Sequence, residues 1–593
     1  MTWLLFSRSH PELLRHGNHF SNLQILIAPR NAAFLVGFGC AILAASILLL
    51  HADVGNQGAW GDQGDGTYKN PVLPGDFSDP DVIRVGGDYF FITSTFQYSP
   101  GMAVLHSKDL VNWQYLSHCV ADLTQMGPEF NWDRMNRYNR GIYAGTIRYH
   151  AGKFWVFWTT MDEGVFMTTA ANAAGPWAPV TRVWDSQGWD DPAPFWDDDG
   201  QAYLILSNPG HASDPLGKWV PHLFKMSPDG KTIDPASARI LDPLSTSEGN
   251  KLYKFNGLYY YFHNEYHRKQ NVRVGVMMRA KSLAGPWEKK TILEDSPTRY
   301  DRQPNQGGLV QTEAGDWCFI THQGRGESGV EYLHARRGDA AAAIPRPMDQ
   351  TGTYDGRPAE LIPVRWVDGW PVPGVPDKNG VGNLVWTASK PVNGFPQQTP
   401  QSSDDFNTPI LGPQWEWNYQ PRPEKWSLTA RPGWLRLEAF PPLVQGDFFK
   451  AGDTLTQRIM GTDGGTVAVK LDASGMADGQ LAGLVLFWKH YAEIGVLQQD
   501  GHRHIIFNQD GVLTLGPELL PASLAWVRAT IDKQGTSVFA FSLDGKNYTP
   551  IGARFAFGWH NYRGTRLGLF TYNDQSEHGW VDFNRFIYDY QTH

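Results

Sequence analysis

Three short segments of the chain each place an acidic residue directly before a hydrophobic strand. The acids are Asp79, Asp191 and Glu248, and each is followed by a turn and a second, aromatic strand. Carboxyl groups held in a fold can act as general acids and bases. An acid that returns at one point of a repeated unit indicates that the fold brings several carboxylates to one place. The pattern therefore predicts an enzyme with a multi-acid site.

The unit that carries these acids recurs five times. Each copy has a short apolar strand, a Gly at the turn, as tight hairpins require, and a second strand rich in β-branched and aromatic residues. The spacing is irregular, at about 48–66 residues, which is typical of four-stranded propeller blades with variable loops. The second strands fall within residues 86–94, 152–160, 200–207, 257–263 and 315–322.

A propeller would give the acids a common location. The innermost strands of the blades lie beside the central axis, so residues at equivalent ends of these strands converge. The alternative is a β-sandwich whose hairpins resemble one another by chance, and the shared position of the acids favours the propeller. The positions that we align across the five blades are Asp79, Ala144, Asp191, Glu248 and Gln306.

Length and composition set further limits. A chain of 593 residues is too long for one core and fits two domains with a targeting segment. Its 24 Trp, 23 Tyr and 31 Phe suit both the packing of a large β protein and a cleft that stacks sugars on aromatic rings. The net charge of −9 and the lack of a basic run argue against a nucleic-acid partner.

The amino-terminal region has the charge pattern of an export signal. Arg8, Arg15 and Arg30 precede an apolar run over residues 32–50, and Asp53 follows it. This asymmetry directs the rest of the chain out of the cytoplasm. Residues 1–52 are therefore a signal peptide cleaved near Ala52, which we favour, or an uncleaved anchor. The protein is expected to be secreted or periplasmic, and to contact a membrane only if this segment is retained.

The chain has three cysteines, Cys40, Cys119 and Cys318. Three residues so far apart cannot form a cysteine metal site, and Cys40 lies within the apolar run. One disulfide between the other two is possible, and two buried thiols are the favoured prediction.

The carboxy-terminal third has a different organisation. Residues 373–402 have a linker composition, rich in Pro, Gly, Asn and Gln. Alternating strands then follow over residues 403–593 and predict a β-sandwich, with the propeller assigned to residues 66–372.

Several motifs together resemble glycoside hydrolase family 43. The most specific is the opening segment 70–81, Asn-Pro-Val-Leu-Pro-Gly-Asp-Phe-Ser-Asp-Pro-Asp, and segments 94–101 and 366–371 support it. The segments 404–406, 415–418, 426–429 and 455–458 resemble the sandwich appended to the β-xylosidase-type members. The resemblance spans Tyr68 to the carboxyl terminus. It implies an all-β fold, a five-bladed β-propeller followed by a concanavalin-like β-sandwich, with β-xylosidase or α-L-arabinofuranosidase activity on xylan-derived chains of the plant cell wall.

The resemblance also implies roles for the acids. Asp79 would be the general base that activates water, and Glu248 the general acid that protonates the leaving oxygen. Asp191 would raise the pKa of the acid and orient it. Glycoside cleavage needs one ionised and one protonated carboxyl group, and a nearby third carboxylate disfavours ionisation of the acid.

Five further residues are expected to bind substrate. The resemblance places Arg325 near the sugar and the acids, and the rings of Phe96, Tyr98 and Trp189 could stack on the sugar. Gln306 stands where many members have a His close to an axial calcium or water cluster. No cofactor is expected to be required and no metal ligand is assigned; a structural calcium is an open alternative that Gln306 disfavours.

Some alternatives stay open at this level. A retaining fructan- or sucrose-type hydrolase could use the same propeller, but its usual Asn-Asp-Pro, Arg-Asp-Pro and Glu-Cys motifs are absent. A non-catalytic sugar-binding protein is the other alternative. The sequence does not separate xylosidase from arabinofuranosidase or exo from endo action. Residues 336–361 have the character of an insertion that either rims the pocket or forms a surface loop.

Overall fold

The computed structural model describes residues 60–208, 220–242, 247–267, 272–294, 303–324, 356–461, 464–519, 523–532, 535–557 and 563–590. The amino-terminal apolar run, Arg325 and most of the segment 336–361 lie outside these ranges. Within the described part of the chain, no helix has the length and apolar content that crossing a membrane would need.

Five four-stranded antiparallel sheets follow one another along the first part of the chain. Two short strands, β1 (Gly61–Asp62) and β2 (Thr67–Lys69), precede them. The first sheet has β3 (Asp81–Val85) and β4 (Asp88–Thr93), and then, after the two-residue strand β5 (Tyr98–Ser99), β6 (Gly101–Ser107) and β7 (Gln114–Val120). The second has β8 (Tyr143–His150), β9 (Lys153–Thr160), β10 (Gly164–Ala170) and β11 (Thr181–Trp184). The third has β12 (Asp190–Trp196), β13 (Ala202–Asn208), β14 (Val220–Met226) and β15 (Ile233–Ile240). The fourth has β16 (Ser247–Phe255), β17 (Leu258–His267), β18 (Val272–Ala280) and β19 (Glu288–Leu293). The fifth has β20 (Gln303–Gln311), β21 (Trp317–Gly324), β22 (Ala359–Val367) and β23 (Trp370–Pro373).

The first strands of the five sheets form a closed ring. Strand β3 contacts β8, β8 contacts β12, β12 contacts β16, β16 contacts β20, and β20 returns to β3. Each sheet is thus a blade, and its first strand lies innermost. The fold-class prediction, an all-β chain with a propeller before a sandwich, is confirmed.

Local sequence explains the hairpins at the start of each blade. Asn256 and Gly257 connect β16 to β17, and both have a positive φ, 50° and 75°. A two-residue turn of this type matches the twist of the strands it joins and favours Asn followed by Gly. The strand that follows is rich in Tyr and Phe, which pack well on a pleated surface.

Four of the innermost strands carry a β-bulge at the same point. The pairing shifts after Tyr143, Asp190, Glu248 and Asn305. The first residue of each bulge has a positive φ, and Asp79, just before β3, has the same conformation; these residues are Asp79, Ala144, Asp191, Gly249 and Gln306. A bulge re-aims the side chains next to it and often lies beside an active site.

This register corrects one part of the alignment made from sequence. Glu248 is not equivalent to Asp79 and Asp191, because it lies one residue before the bulge, in the position that Asp190 has in the third blade. Gly249 has the left-handed conformation in the fourth blade, at φ 75°. Glycine adopts that conformation without the steric cost that a Cβ adds.

The carboxy-terminal part forms two facing sheets. In chain order its strands are β24 (Thr387–Ser389), β25 (Glu416–Asn418), β26 (Trp426–Ser427), β27 (Leu435–Glu438), β28 (Leu455–Arg458), β29 (Gly464–Asp472), β30 (Gln480–Phe487), β31 (Tyr491–Gln499), β32 (His502–Gln509), β33 (Val512–Glu518), β34 (Leu524–Asp532), β35 (Thr536–Ser542), β36 (Thr549–Ala556), β37 (Arg566–Asn573) and β38 (Trp580–Asp589). One sheet has the order β26-β27-β38-β29-β34-β35-β36, and the other has β33-β32-β31-β30-β37-β28-β25-β5. Short 3₁₀ helices in the described chain span Leu123–Gln125, Pro128–Phe130, Pro423–Lys425 and Phe448–Lys450.

The second of these sheets includes a strand from the propeller. Strand β5, which lies between the second and third strands of the first blade, pairs with β25 of the sandwich. The segment predicted to be a linker also pairs back, because its strand β24 joins β2 in a small three-stranded sheet. The propeller and the sandwich therefore share backbone hydrogen bonds at two places.

A buried ionic network joins the same two parts. Arg458 on β28 contacts Glu416 on β25 at 2.8 Å, and Arg566 on β37 contacts the other oxygen of Glu416 at 2.8 Å. Although burial opposes ionisation, the two guanidinium groups hold the pKa of Glu416 below its ordinary value. Arg458 also donates to the backbone carbonyls of Asp76, at 2.8 Å, and Ser94, at 3.2 Å. The sandwich thus contacts the propeller backbone on both sides of Asp79.

The two cysteines in the described ranges, Cys119 and Cys318, are free and buried. Burial raises the pKa of the Cys318 thiol to about 12. The prediction of two buried thiols is confirmed.

Candidate active site

Asp79 is held by an arginine that the sequence analysis did not single out. Nη1 of Arg357 lies 2.9 Å from Oδ1 of Asp79, and Nη2 donates to Oδ2 at 3.1 Å. The hydroxyl of Ser94 donates to the same Oδ2 at 2.6 Å. Both side chains of the ion pair are buried, with Arg357 7% exposed and Asp79 5% exposed. A two-pronged guanidinium contact fixes the carboxylate in orientation.

The backbone of Asp79 is fixed as well. Its amide donates to Nδ1 of His322 at 2.9 Å, so this ring nitrogen is an acceptor. Burial, and then the charges of Arg357 and Arg273, lower the pKa of His322 well below its ordinary value. His322 is therefore a neutral, fully buried support for the bend at Asp79, whose φ is 55°.

Asp191 joins three blades. Its Oδ2 accepts from the amide of Gly249 at 2.8 Å, and its Oδ1 accepts from Nε2 of Gln306 at 2.8 Å. Burial, and then the charge of Glu248, raise the pKa of Asp191 to about 7, although these two hydrogen bonds oppose the rise. The protonated form of Asp191 is therefore favoured by the negative charge of Glu248.

Glu248 is the most accessible of the three predicted acids. It is half-buried, whereas Asp79 and Asp191 are buried, and its Oε1 lies 2.9 Å from Nε of Arg273 on the neighbouring strand β18. The extended backbone before the bulge thus presents Glu248 to the open end of the ring. A group that exchanges protons with a ligand needs this access.

The site holds a fourth acid, Asp190, directly before Asp191. Its Oδ1 accepts from the hydroxyl of Thr159 at 3.1 Å and from the amide of Asp191 at 2.9 Å. Desolvation of the carboxyl group, and then the charge of Asp191, raise the pKa of Asp190 well above its ordinary value. Like Glu248, Asp190 is half-buried.

Gln306, predicted to bind substrate, lies instead where it orients an acid. Its side-chain amide donates to Asp191, and its backbone amide donates to Oδ1 of Asn264 at 2.7 Å. The side chain is buried. Its contacts support a role in positioning Asp191, and a direct contact with a sugar stays a prediction.

The structure separates the three aromatic residues predicted to stack on a sugar. Trp189 is half-buried beside Asp190, and its stacking on a sugar stays a prediction. Phe96 is fully buried, with its ring 5.7 Å from that of Tyr143. The prediction that Tyr98 stacks on a sugar is wrong. Tyr98 lies on β5 in the interface with the sandwich and is fully buried, with the guanidinium carbon of Arg566 4.1 Å from the centre of its ring. Its ring therefore offers no open face to a ligand.

Arg325 lies outside the described residues, so its predicted role is not addressed. The arginines that contact the predicted acids in the described chain are Arg357 and Arg273. Arg357 lies near the end of the segment taken as an insertion, and the adjoining Ala359–Leu361 begin strand β22. Its sequence signal was weak, because Gly356–Arg357 had no counterpart in the other blades.

A second carboxylate cluster lies in the fourth blade. Asp242, His263 and Glu265 bring their ligand atoms within 4.8 Å of one another. The ammonium group of Lys289 bonds both Asp242 and Glu265. This lysine supplies the positive charge that the two acids need, so the cluster is explained as an ion-pair network.

The geometry supports acid–base chemistry. One carboxylate, Asp79, is paired with a cation and fixed by Ser94, while burial and the charge of Glu248 raise the pKa of Asp191. Sites in which neighbouring acids are driven to opposite protonation states are suited to general base and general acid roles. The structure thus brings together the three acids that the sequence predicted.

Comparison with known families gives two matches that together span most of the chain. The model of the glycosyl hydrolases family 43 matches residues 68–371, and that of the beta xylosidase C-terminal concanavalin A-like domain matches residues 403–589.

Individual relatives agree with these matches. The chain is 36% identical over 571 residues to a beta-xylosidase of Formosa agariphila, covering 90% of this chain and 92% of that one. It is 32% identical over 390 residues to a non-reducing end alpha-L-arabinofuranosidase of Bacteroides ovatus, covering 63% and 65%. The crystal structure of the GH43 protein BlXynB from Bacillus licheniformis has a TM-score of 0.72 at 26% identity, covering 88% of this chain and 99% of that one.

Proposed function

The chain belongs to glycosyl hydrolase family 43 and is a glycosidase, and from this premise we propose that it removes xylose or arabinose from xylan-derived oligosaccharides with inversion of configuration. The observation that carries the mechanism is the contrast between two carboxyl environments. Asp79 lies against the Arg357 guanidinium, whereas burial and the charge of Glu248 raise the pKa of Asp191. Inverting cleavage needs such a pair, one ionised and one protonated group.

In this mechanism Asp79 is the general base. Arg357 and Ser94 hold its carboxylate in a fixed orientation, and it accepts a proton from water as the water attacks the anomeric carbon. Glu248 is the general acid, because it is the acid that is open to the pocket. It gives its proton to the glycosidic oxygen as the bond breaks, and one C–O bond is exchanged for another.

Asp191 is the modulator. Its charge favours the protonated form of the pair that it makes with Glu248, and Gln306 and the Gly249 amide hold it in place. No further acid is then needed as a nucleophile. The carboxyl groups of Asp79 and Glu248 are expected to be about 6.5–9.5 Å apart, as in inverting enzymes.

We also propose that the reaction requires no metal. Arg357 and Arg273 pair with Asp79 and Glu248, and the buried ammonium of Lys251 lies among Asp81, Asp191 and Asp79. These fixed cations neutralise the acids and oppose binding of a divalent ion. The charge pattern of residues 1–52 supports export, to the periplasm or the medium.

The test is chromophore release from aryl β-xylopyranoside, α-arabinofuranoside and fructoside substrates, with Asp79→Asn as the inactive control. Cleavage of a pentoside supports the proposal, whereas cleavage of the fructoside alone supports a fructan-type hydrolase. Proton NMR of the first-formed sugar then reads its configuration. A product with the anomeric configuration of the substrate would mean that one of these acids is a nucleophile.

A further inference from the structure

Asp190 occupies the same place in its blade as the proposed general acid occupies in the next. Asp190 pairs with Ser207 and Glu248 pairs with Asn264, each as the last residue before the bulge. Strands β12 and β16 are neighbours in the ring. Both acids are half-buried, whereas the bulge residues Asp79 and Asp191 are buried.

The two oxygens of Asp190 have different surroundings. Oδ1 is satisfied by the Thr159 hydroxyl and the Asp191 amide. Oδ2 accepts no hydrogen bond from any residue in the described ranges, and it is not among the enclosed polar atoms that lack a partner. Oδ2 is therefore accessible, and because Asp190 and Glu248 have the same register position on neighbouring strands, we expect it to face the same side of the ring as the proposed acid.

We propose that Asp190 is a further substrate-binding residue, whose Oδ2 hydrogen-bonds one hydroxyl group of the pentose that is cleaved. This inference rests on the proposed function, since it assigns a ligand group to the same pocket.

The local charges determine the direction of this hydrogen bond. Desolvation, and then the charges of Asp191 and Asp79, raise the pKa of Asp190, so the neutral form of its carboxyl group is favoured. Two donors already point at Oδ1, so the proton resides on Oδ2. Asp190 then donates to the oxygen of the sugar hydroxyl without adding another negative charge beside the general base.

The test pairs variants of Asp190 with monodeoxy analogues of the better aryl pentoside, each lacking one hydroxyl. On the parent substrate we expect Asp190→Ala to lower kcat/KM by about 10- to 100-fold, and Asp190→Asn, which keeps a neutral donor, by less than about 3-fold. On one analogue, the loss from Asp190→Ala should shrink to less than about 3-fold, because the partner hydroxyl is already missing.

Two controls separate binding from packing. Thr159→Val removes only the bond to Oδ1, so any loss should be equal on all analogues. Asp185→Ala alters an exposed acid in the segment between β11 and β12 and should leave kcat/KM unchanged. If Asp190→Ala does not fold, Asp190→Ser replaces it, because a serine hydroxyl can accept from the Asp191 amide without reaching the sugar.

Equal loss on every analogue would overturn the inference and leave the proposed function intact. A wild-type protein that neither cleaves an aryl pentoside nor binds xylose or arabinose would overturn both.

Discussion

Replacing Arg357 by Met tests the proposed base most directly. The guanidinium lies about 3 Å from both oxygens of Asp79, and at an effective dielectric constant of about 20 one such contact contributes about 5 kcal/mol. That energy is an upper bound, because water fills the space that the side chain leaves. A catalytic group that is displaced by about 1 Å can lose about 100-fold in rate.

We therefore expect Arg357→Met to lower kcat by about 100-fold on aryl pentosides with good and with poor leaving groups alike, because the base that activates water loses the contact that orients it. Arg357→Lys should also lose activity, since an ammonium group keeps the charge but not the two-pronged contact.

The assay is kcat and KM on a pair of aryl pentosides, one with a good and one with a poor leaving group. Arg365→Met is the matched control, because Arg365 lies on the adjoining strand β22 and is exposed. Folding should be checked by circular dichroism, as breaking a buried ion pair costs about 3–5 kcal/mol. A folded Arg357→Met protein that keeps the kcat of wild type on both substrates would refute the assignment of Asp79 as the base that Arg357 supports.

Three further predictions concern single acids. Glu248→Gln should lose about 10²–10⁴-fold in kcat on substrates with poor leaving groups and much less on activated aryl glycosides. Asp79→Asn should lose activity equally on both kinds of substrate. Equal losses of Glu248→Gln on the two kinds would contradict its role as the general acid. Asp191→Asn should move the alkaline limb of kcat/KM to lower pH, because the charge that favours protonation of the pair is removed, and an unmoved limb would exclude the modulator role. Burial raises the pKa of Glu493 from 4.5 to about 8. The folded state therefore keeps a proton that the unfolded state releases, and wild-type stability falls as pH rises between these values. Glu493→Gln does not titrate, so its advantage in urea unfolding should grow to about 5 kcal/mol by pH 8, and a pH-independent difference between the two proteins would contradict the prediction.

Much of the propeller could be predicted from sequence because each blade repeats one local unit. Gly at the hairpin and β-branched or aromatic residues in the second strand are local signals, and they located β4, β9, β13, β17 and β21. The predicted alignment of Glu248 with Asp79 and Asp191 was wrong because a bulge inserts a residue that hydrophobic patterns do not reveal. Gly249 was the available signal, since the left-handed conformation favours glycine.

The partners of the acids were harder to predict because they come from distant parts of the chain. Arg357 reaches Asp79 across 278 residues of sequence, and its segment has no equivalent in the other blades. Tyr98 was misassigned because nothing local shows that the sandwich covers it. Strand β31 could not be recognised from an alternating pattern of apolar and polar residues. Eight of its nine residues are buried, so it lacks the alternation of a half-exposed strand.

The shared sheet between propeller and sandwich has a consequence for protein engineering. Because β5 completes a sandwich sheet and Arg458 bonds the carbonyls of Asp76 and Ser94, the carboxy-terminal part is not an interchangeable cassette. A chimera that takes its sandwich from a relative would have to import a matching β5 segment and a matching arginine. The propeller and the sandwich should therefore be exchanged together. Recombination at residues 373–402 would separate groups that contact one another.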